Sequence, residues 1–194
     1  MVNTLTKFGV PTGGGTGRGG ILMPKLQYRF RVRVVNFGPL VTGLDLTQQV
    51  MTVDKPSIKH DSVQIDSYNS RAWLAGKHTW NPVTLSVRDD VTNSVSRLVG
   101  HQVQKQLNHF EQTSDLAGIN YKFQMFVETM DGGNDTVLET FELEGCWLTD
   151  VKWSPLDYSK SDVQNLDMTI QYDNATQDGG LFEENPQSVP GVTV

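Results

Sequence analysis

The chain has 194 residues, which is enough for one hydrophobic core of ordinary size with additional extended arms. Its 16 Lys and Arg against 22 Asp and Glu give a formal charge of −6, which argues against a protein held to nucleic acid by basic contacts. The hydrophobic fraction is 37%, and no apolar run approaches the roughly 18 residues of a membrane span, so a soluble chain without a membrane anchor is expected.

Residues 1–24 are predicted to form a flexible N-terminal arm, because the glycine-rich segment Gly13–Gly20 (GGGTGRGG) cannot fold by itself. This segment lacks the Gly-Lys-Ser/Thr ending and the preceding strand of a phosphate-binding loop. It also lacks the apolar core of a signal peptide. We therefore expect an arm that becomes ordered against a neighbour, and no nucleotide site.

The first predicted strand is Gln27–Asn36, which alternates between apolar and basic residues. Its basic face carries Arg29, Arg31 and Arg33. Its apolar face carries Tyr28, Phe30, Val32 and Val34. A phosphate-binding ribbon is one interpretation of the arginines. Given the acidic total, pairing with acids on a neighbouring strand or subunit is favoured.

The stretch from residue 37 to residue 56 opens with Phe37-Gly38-Pro39 and is predicted to be a long loop without regular structure. Loops of that length in compact domains tend to be functional. Its apolar residues are Leu40, Leu44, Leu46, Val50 and Met51. We expect them to form an interface with another subunit.

Two strands are predicted next, and they differ in polarity. Ile58–Tyr68 contains His60, Asp61 and Asp66, so at least one of its faces is expected to meet water. The segment Ala75–Asp90 (AGKHTWNPVTLSVRDD) then places Val83, Leu85 and Val87 on one face. It ends in Asp89 and Asp90, where an acid favours the start of a helix.

One amphipathic helix is predicted from Val91 to Gln112, interrupted only by Gly100. Its apolar stripe consists of Val91, Val95, Leu98, Val99, Val103, Leu107 and Phe110. After it the pattern returns to strands. These are Lys122–Glu128, Val137–Glu144, Gly145–Trp153 and Asn165–Asp173, with an Asp-Gly hairpin turn at residues 130–135 and a polar loop at residues 157–162.

These patterns predict a mainly β protein, an antiparallel β-barrel or sandwich of six to eight strands with one flanking helix. Residues 25–175 would form this domain. Residues 176–194 would form a polar C-terminal tail.

No catalytic or metal chemistry is indicated. His101 and His109 lie eight residues apart, too far for the usual metal-binding pair of a helix. Asp61 and Asp66 point to opposite faces of their strand and cannot act as a carboxylate pair. Cys146, the single cysteine, is expected to be a buried core residue in a reducing compartment. We expect no enzyme activity and no cofactor.

Taken in order, these segments resemble the tail tube proteins of contractile-tailed bacteriophages, the T4-like tube family, over residues 25–175. The most specific match is an Ala-Gly-x-x-Thr-aromatic segment that ends in two acids. It comprises Ala75, Gly76, Thr79, Trp80, Val83, Thr84, Ser86, Val87, Asp89 and Asp90. A Gly-x-Trp-x-Thr-x-Val element follows the helix, with Gly145, Trp147, Thr149 and Val151. The final strand ends in Tyr172-Asp173.

The resemblance implies a structural virion protein of the phage tail, assembled in the host cytoplasm. Six subunits would form a ring, and stacked rings would form the inner tube through which DNA is ejected without specific binding. Sheath, baseplate and terminator proteins would be its partners. The loop at residues 37–56 would stack on the adjacent ring, and Asp61 and Asp66 would face the lumen.

The glycine-rich arm and the acidic tail depart from the simplest members of this family. They leave open a baseplate tube-initiator component in place of the main tube subunit. A ring-forming, Hcp-like secretion-tube protein is a further alternative. So is a monomeric β-sandwich that binds carbohydrate or peptide, for which a groove of exposed aromatic residues would be expected.

Overall fold

The fold is described from a computed structural model, over residues 24–42, 44–114, 118–132 and 136–178. Its α-helices are α1 (Leu44–Gln49) and α2 (Ser94–Gln106), and a short 3-10 helix covers Gly118–Asn120. The strands are β1 (Phe30–Phe37), β2 (Leu40–Thr42), β3 (Val50–Val53), β4 (Ser57–Ser67), β5 (Ser70–Asn81), β6 (Val83–Arg88), β7 (Phe123–Met130), β8 (Val137–Trp153), β9 (Asn165–Gln171) and β10 (Asn174–Asp178).

The body consists of two antiparallel sheets that share the long strand β8. We call the order β2-β1-β7-β8-β10 sheet A, and the order β8-β9-β6-β3 sheet B. The first half of β8 lies between β7 and β10, whereas its second half pairs with β9. Within the described part of the chain, strands β4 and β5 pair only with each other, as a separate hairpin. The predicted mainly β, antiparallel fold is therefore confirmed.

A single hydrophobic core joins both sheets and one face of α2. Alternation places the apolar residues of β1, β6, β7 and β9 on this side, as predicted. Its largest fully buried side chains include Phe37, Phe123, Leu85, Met168 and Ile170. The rings of Phe37 and Phe123 meet edge to face, with centroids 4.8 Å apart.

Strand β8 passes from sheet A to sheet B at Gly145. This residue has φ +66°, a left-handed conformation that favours glycine. A β carbon at this position would also lie 2.8 Å from Cγ of Asp173, in the segment between β9 and β10. The backbone N–H of Asp173 donates to the carbonyl of Glu144 at 3.0 Å, which keeps this segment paired with β8 at the bend. Glycine is therefore needed where the sheets join.

Helix α2 is shorter than the predicted segment, Val91–Gln112. It begins at Ser94 because Asp90 accepts a hydrogen bond from the N–H of Ser94 at 2.8 Å and fixes the first turn there. It ends before Leu107, whose backbone is extended. Phe110, predicted to belong to the apolar stripe, is instead exposed beyond the helix.

Several short elements escaped the sequence analysis. Residues 37–56 hold β2, α1 and β3, where a loop without regular structure was expected. These pieces are three to six residues long, too short to show a recognisable period. Strand β10 lies partly in the predicted tail; its polar sequence, NATQD, buries only Ala175 and pairs along β8.

Two glutamines fix α2 to the sheets. The buried Gln102 donates to the carbonyl of Tyr121 at 2.6 Å and accepts from the N–H of Gly38 at 2.8 Å. One turn later, Gln106 donates to the carbonyl of Leu148 and accepts from its N–H, both at 2.9 Å. A glutamine amide thus satisfies both backbone groups of Leu148 on the side of β8 that faces away from β9.

Candidate assembly surfaces

The β4–β5 hairpin leaves the body of the protein as an exposed ribbon. All residues of β4 are solvent-exposed, and so is nearly all of β5 until Trp80 at its base. Isolated two-stranded hairpins are only marginally stable in water. This hairpin is therefore expected to gain stability from a partner outside the chain.

The outer half of the hairpin has one apolar face. Val63 pairs directly with Leu74, and Ile65 pairs with Ala72, so these four side chains share a face. Val63 is 50% exposed and Leu74 54% exposed. The opposite face carries mainly polar residues. Its members are Ser62, Gln64, Asp66, Arg71, Trp73 and Ala75.

The hairpin is anchored at its base. Trp80 is nearly buried against Tyr172, with ring centroids 5.6 Å apart, and its carbonyl accepts a hydrogen bond from Gln171. Further out, the register shifts opposite Asp61, and a β carbon on Gly76 would lie 3.0 Å from the carbonyl oxygen of Asp61. The ribbon is thus fixed at one end and free along the rest of its length.

A second exposed apolar segment is the β8–β9 loop, residues 154–164, together with Trp153, which precedes it. Leu156, Tyr158 and Val163 are all exposed. The loop is closed at its base, where the N–H of Ser154 donates to the carbonyl of Asn165 at 3.0 Å. The backbone and hydroxyl of Ser159 donate to Asp157 and hold the pKa of that carboxyl below its usual range.

The arginines of β1 are paired within the chain, as the sequence analysis favoured. Nε of Arg31 and Nε of Arg33 donate to the two carboxylate oxygens of Glu128, at 2.6 Å and 2.8 Å. The guanidinium of Arg33 also lies over the ring of Phe126. Glu128 is buried beneath them. These contacts organise the outer face of sheet A.

We predict that Glu128→Gln lowers the free energy of unfolding by about 1–2 kcal/mol. The substitution keeps the size of the side chain but removes its negative charge, and it replaces one of the two accepting oxygens with an NH2 group that cannot accept from an arginine. The partly exposed arginines limit the loss. Urea unfolding followed by circular dichroism measures it. Glu144→Gln on an exposed carboxylate is the control, and an unchanged midpoint for Glu128→Gln would contradict the prediction.

A cleft of about 580 Å³ lies between the start of β1 and β3, with Tyr28, Arg29 and Met51 in its lining. Lys25 and Lys55 both contact Glu139 near this region, at 2.9 Å and 3.1 Å. Partial burial acts to raise the pKa of Glu139, but the two ammonium groups outweigh it and hold that pKa below its usual range. The cleft thus brings together Met51, which was predicted to form an interface, and Arg29, which was predicted to pair with acids on a neighbouring strand or subunit.

The other predicted interface residues have different positions. Leu46 is 1% exposed and packs in the core of its own chain, so it cannot serve a contact between rings. Val50 is partly buried against the same core. The side chains of Leu40 and Leu44 lie outside the described part of the chain. Among the members of this set whose side chains are described, Met51 alone is exposed.

Asp61 and Asp66, predicted to face a lumen, both lie on β4 in the hairpin. Asp66 contacts Arg71 on the neighbouring strand at 3.2 Å. Both carboxylates are exposed, but a lumen requires other subunits, so their orientation toward one stays a prediction.

The apolar face of the hairpin is the functional candidate that the sequence analysis missed. Val63, Ile65 and Leu74 are residue types that usually lie in a hydrophobic core. One feature of the sequence could have indicated the hairpin. Only Tyr68 and Asn69 separate the two strands, and so short a connection is typical of two strands that pair with each other.

Other functional chemistry was also sought in the described residues. No three His, Cys, Asp or Glu side chains are grouped there so that they could hold a metal ion. None of the helices in that part of the chain is long and apolar enough to cross a membrane. Cys146 is buried, and burial raises the pKa of its thiol to about 12, which makes it a poor nucleophile.

By fold, the chain is similar to proteins of contractile injection systems, which confirms the expected tail-tube-like architecture. A chain of the anti-feeding prophage baseplate matches with a TM-score of 0.61 at 12% identity, covering 81% of this chain and 97% of that one. A chain of the cap that terminates the anti-feeding prophage tube matches with a TM-score of 0.61 at 15% identity, covering 81% and 93%.

A third match comes from the sheath–tube complex of an extracellular contractile injection system called PVC. Its TM-score is 0.56 at 15% identity, covering 79% of this chain and 90% of that one. No protein-family model and no curated protein sequence matches the chain. The similarity therefore concerns the fold.

Proposed function

We propose that this protein is a structural subunit of a tube, forming hexameric rings that stack into the inner tube of a contractile tail. DNA would pass through the tube during ejection into the host. Sheath, baseplate and terminator proteins would be its other partners in the virion. The observation that carries the proposal is the β4–β5 hairpin, whose apolar face is exposed in the single chain.

The hairpin supports assembly because an exposed apolar face of this kind marks an interaction site in soluble proteins. Within the described residues this face stays open, since Val63, Ile65 and Leu74 are each about half exposed. The fold similarity to chains from a baseplate, a tube cap and a sheath–tube complex of injection systems supports the same role.

Ring closure would use the edges of the sheets. Strands β3 and β10 each pair with one neighbour within the described residues, so each presents a second edge. An edge that pairs with a neighbouring subunit satisfies its backbone groups and becomes an interface. Subunits joined in this way would continue a sheet around the ring.

The net charge of −6 suits a conduit through which DNA moves without being held, since phosphate groups are repelled by an acidic surface. Asp61 and Asp66 stay our candidates for residues that face the lumen. Their place on the hairpin would put them near the contact between rings.

The test is the assembly state of the purified full chain, measured by sedimentation velocity and negative-stain electron microscopy over increasing protein concentration. We expect rings with a central channel that stack into tubes of uniform diameter. A chain that stays monomeric at every concentration would overturn the proposal and favour a binding module.

A second measurement addresses the phage tail specifically. Mass spectrometry of purified particles should find the chain in tailed particles with DNA-filled heads, in a copy number that matches many stacked rings. A single ring per particle would indicate a baseplate component. Particles without heads would indicate an injection or secretion tube, and either result would overturn this part of the proposal.

A further inference from the structure

Two exposed apolar segments lie at opposite ends of sheet B. The hairpin leads into β6 at Val83, which pairs with Ile170. The β8–β9 loop leads into β9 at Asn165, which pairs with Arg88 at the other end of β6. The six residues of β6 separate these ends by about 17 Å at the usual rise per residue of a strand.

Because the two segments lie at opposite ends of sheet B, they define a stacking direction parallel to its strands. A copy of the chain displaced along the strands of sheet B would bring its β8–β9 loop toward the hairpin of the first copy. Such a contact joins different surfaces of the two copies, so it can repeat without limit. A symmetric contact of hairpin with hairpin would close after two copies.

The charges of the two segments are complementary. The hairpin, residues 57–81, holds three basic residues, Lys59, Arg71 and Lys77, against two acidic ones. The loop, residues 154–164, holds two acidic residues, Asp157 and Asp162, against one basic one. The hairpin thus carries a net positive charge and the loop a net negative charge, which favours their encounter.

The exposed area indicates how strong one contact would be. The hairpin offers Val63, Ile65 and Leu74 on its apolar face and Tyr68 at its tip. The loop segment offers Trp153 and Tyr158, both more than half exposed. Aromatic side chains bury about 150–250 Å² each, so the two aromatic residues of the loop segment supply roughly 300 Å² on that side. A standard stable interface buries about 800 Å² on each side. One contact is therefore weak, and a ring of such contacts acting together is needed.

We propose that the β4–β5 hairpin of one copy docks on the β8–β9 loop of a copy in the next ring. This inference rests on the proposed function, and it names the surfaces that stack. The polarity of the tube follows from it, since every ring presents hairpins at one end and loops at the other.

Disulfide crosslinking tests the contact directly. Tyr68 at the tip of the hairpin and Tyr158 in the loop are fully exposed, and the native Cys146 is buried. We would prepare Tyr68→Cys and Tyr158→Cys as separate chains and as a double variant, and oxidise them under assembly conditions. The mixed single variants should give crosslinked dimers, and the double variant should give a ladder of higher multimers.

The control is Tyr68→Cys mixed with His101→Cys, which places the second thiol on the exposed face of α2. This mixture should crosslink at least tenfold less. Tubes that form normally but give no ladder would overturn the docking proposal and leave the tube function intact. Dimers from Tyr68→Cys alone would also overturn it. The absence of any assembly in microscopy would instead overturn the proposed function.

Discussion

A chain carrying Val63→Asp and Leu74→Asp is expected to fold normally and to lose the ability to form tubes. The two side chains face each other on the apolar face of the hairpin and contribute nothing to the core of their own chain. Its circular dichroism and urea midpoint should therefore match those of the unmodified protein. Its assembly, followed by sedimentation and negative stain, should not.

The size of the effect follows from the area that assembly would bury. Full burial of a valine or leucine side chain contributes about 1.5–3 kcal/mol, and roughly half of each is exposed here. Losing both contacts removes about 1.5–3 kcal/mol per hairpin, and each 1.4 kcal/mol is a factor of ten in affinity. Buried aspartates add to this loss. We expect the concentration needed for assembly to rise at least 100-fold.

The matched control is Ser62→Asp with Ala75→Asp. These residues also pair directly across the hairpin, so the control adds the same charges with the same cross-strand repulsion, but on the opposite face. The control should assemble within about tenfold of the normal concentration. Equal loss of assembly in both variants would show that charge, and not the apolar face, governs the effect.

The second large effect is expected for Gly145→Ala, which should lower the free energy of unfolding by about 2–4 kcal/mol. The left-handed backbone costs a residue with a β carbon about 1–2 kcal/mol. The new methyl group would also meet the side chain of Asp173, which is held by Lys122. Urea unfolding of the two chains measures the difference.

Gly100→Ala is the matched control for this prediction. It lies inside α2, where nothing would come within 4 Å of the added β carbon, so the same substitution should stabilise the protein by about 0.5–1 kcal/mol. Adding Asp173→Ala to the Gly145 variant removes the collision and should restore part of the loss. An unchanged stability for Gly145→Ala would contradict the role of this bend.

The sequence was sufficient to predict those elements whose alternation is long and whose partner lies in the same chain. Val32 and Val34 in β1, and Leu85 and Val87 in β6, are buried as their pattern indicated. The pattern works because one face of such a strand packs on the core while the other meets water. The pairing of Arg31 and Arg33 followed from charge balance in the same way.

The candidate surfaces for assembly could not be predicted from the sequence. Alternation of apolar and polar residues distinguishes the two faces of a strand, but it does not show what packs on either face. Val63 and Leu74 carry a core-like pattern, yet about half of each side chain is exposed in the single chain. Leu46 presents the reverse case. It lies on a six-residue helix, too short to show which side is apolar, and the structure buries it.

Strand β8 also determines how cooperative unfolding must be. Its 17 residues are hydrogen-bonded to β7 and β10 in one half and to β9 in the other. Neither sheet can unfold alone, because both sheets need β8. If one sheet unfolded, β8 would lose hydrogen-bonded neighbours and core packing, and the other sheet would be weakened as well. In the urea titrations above, tryptophan fluorescence and circular dichroism should therefore trace one transition. A subunit built in this way responds to load as a single body.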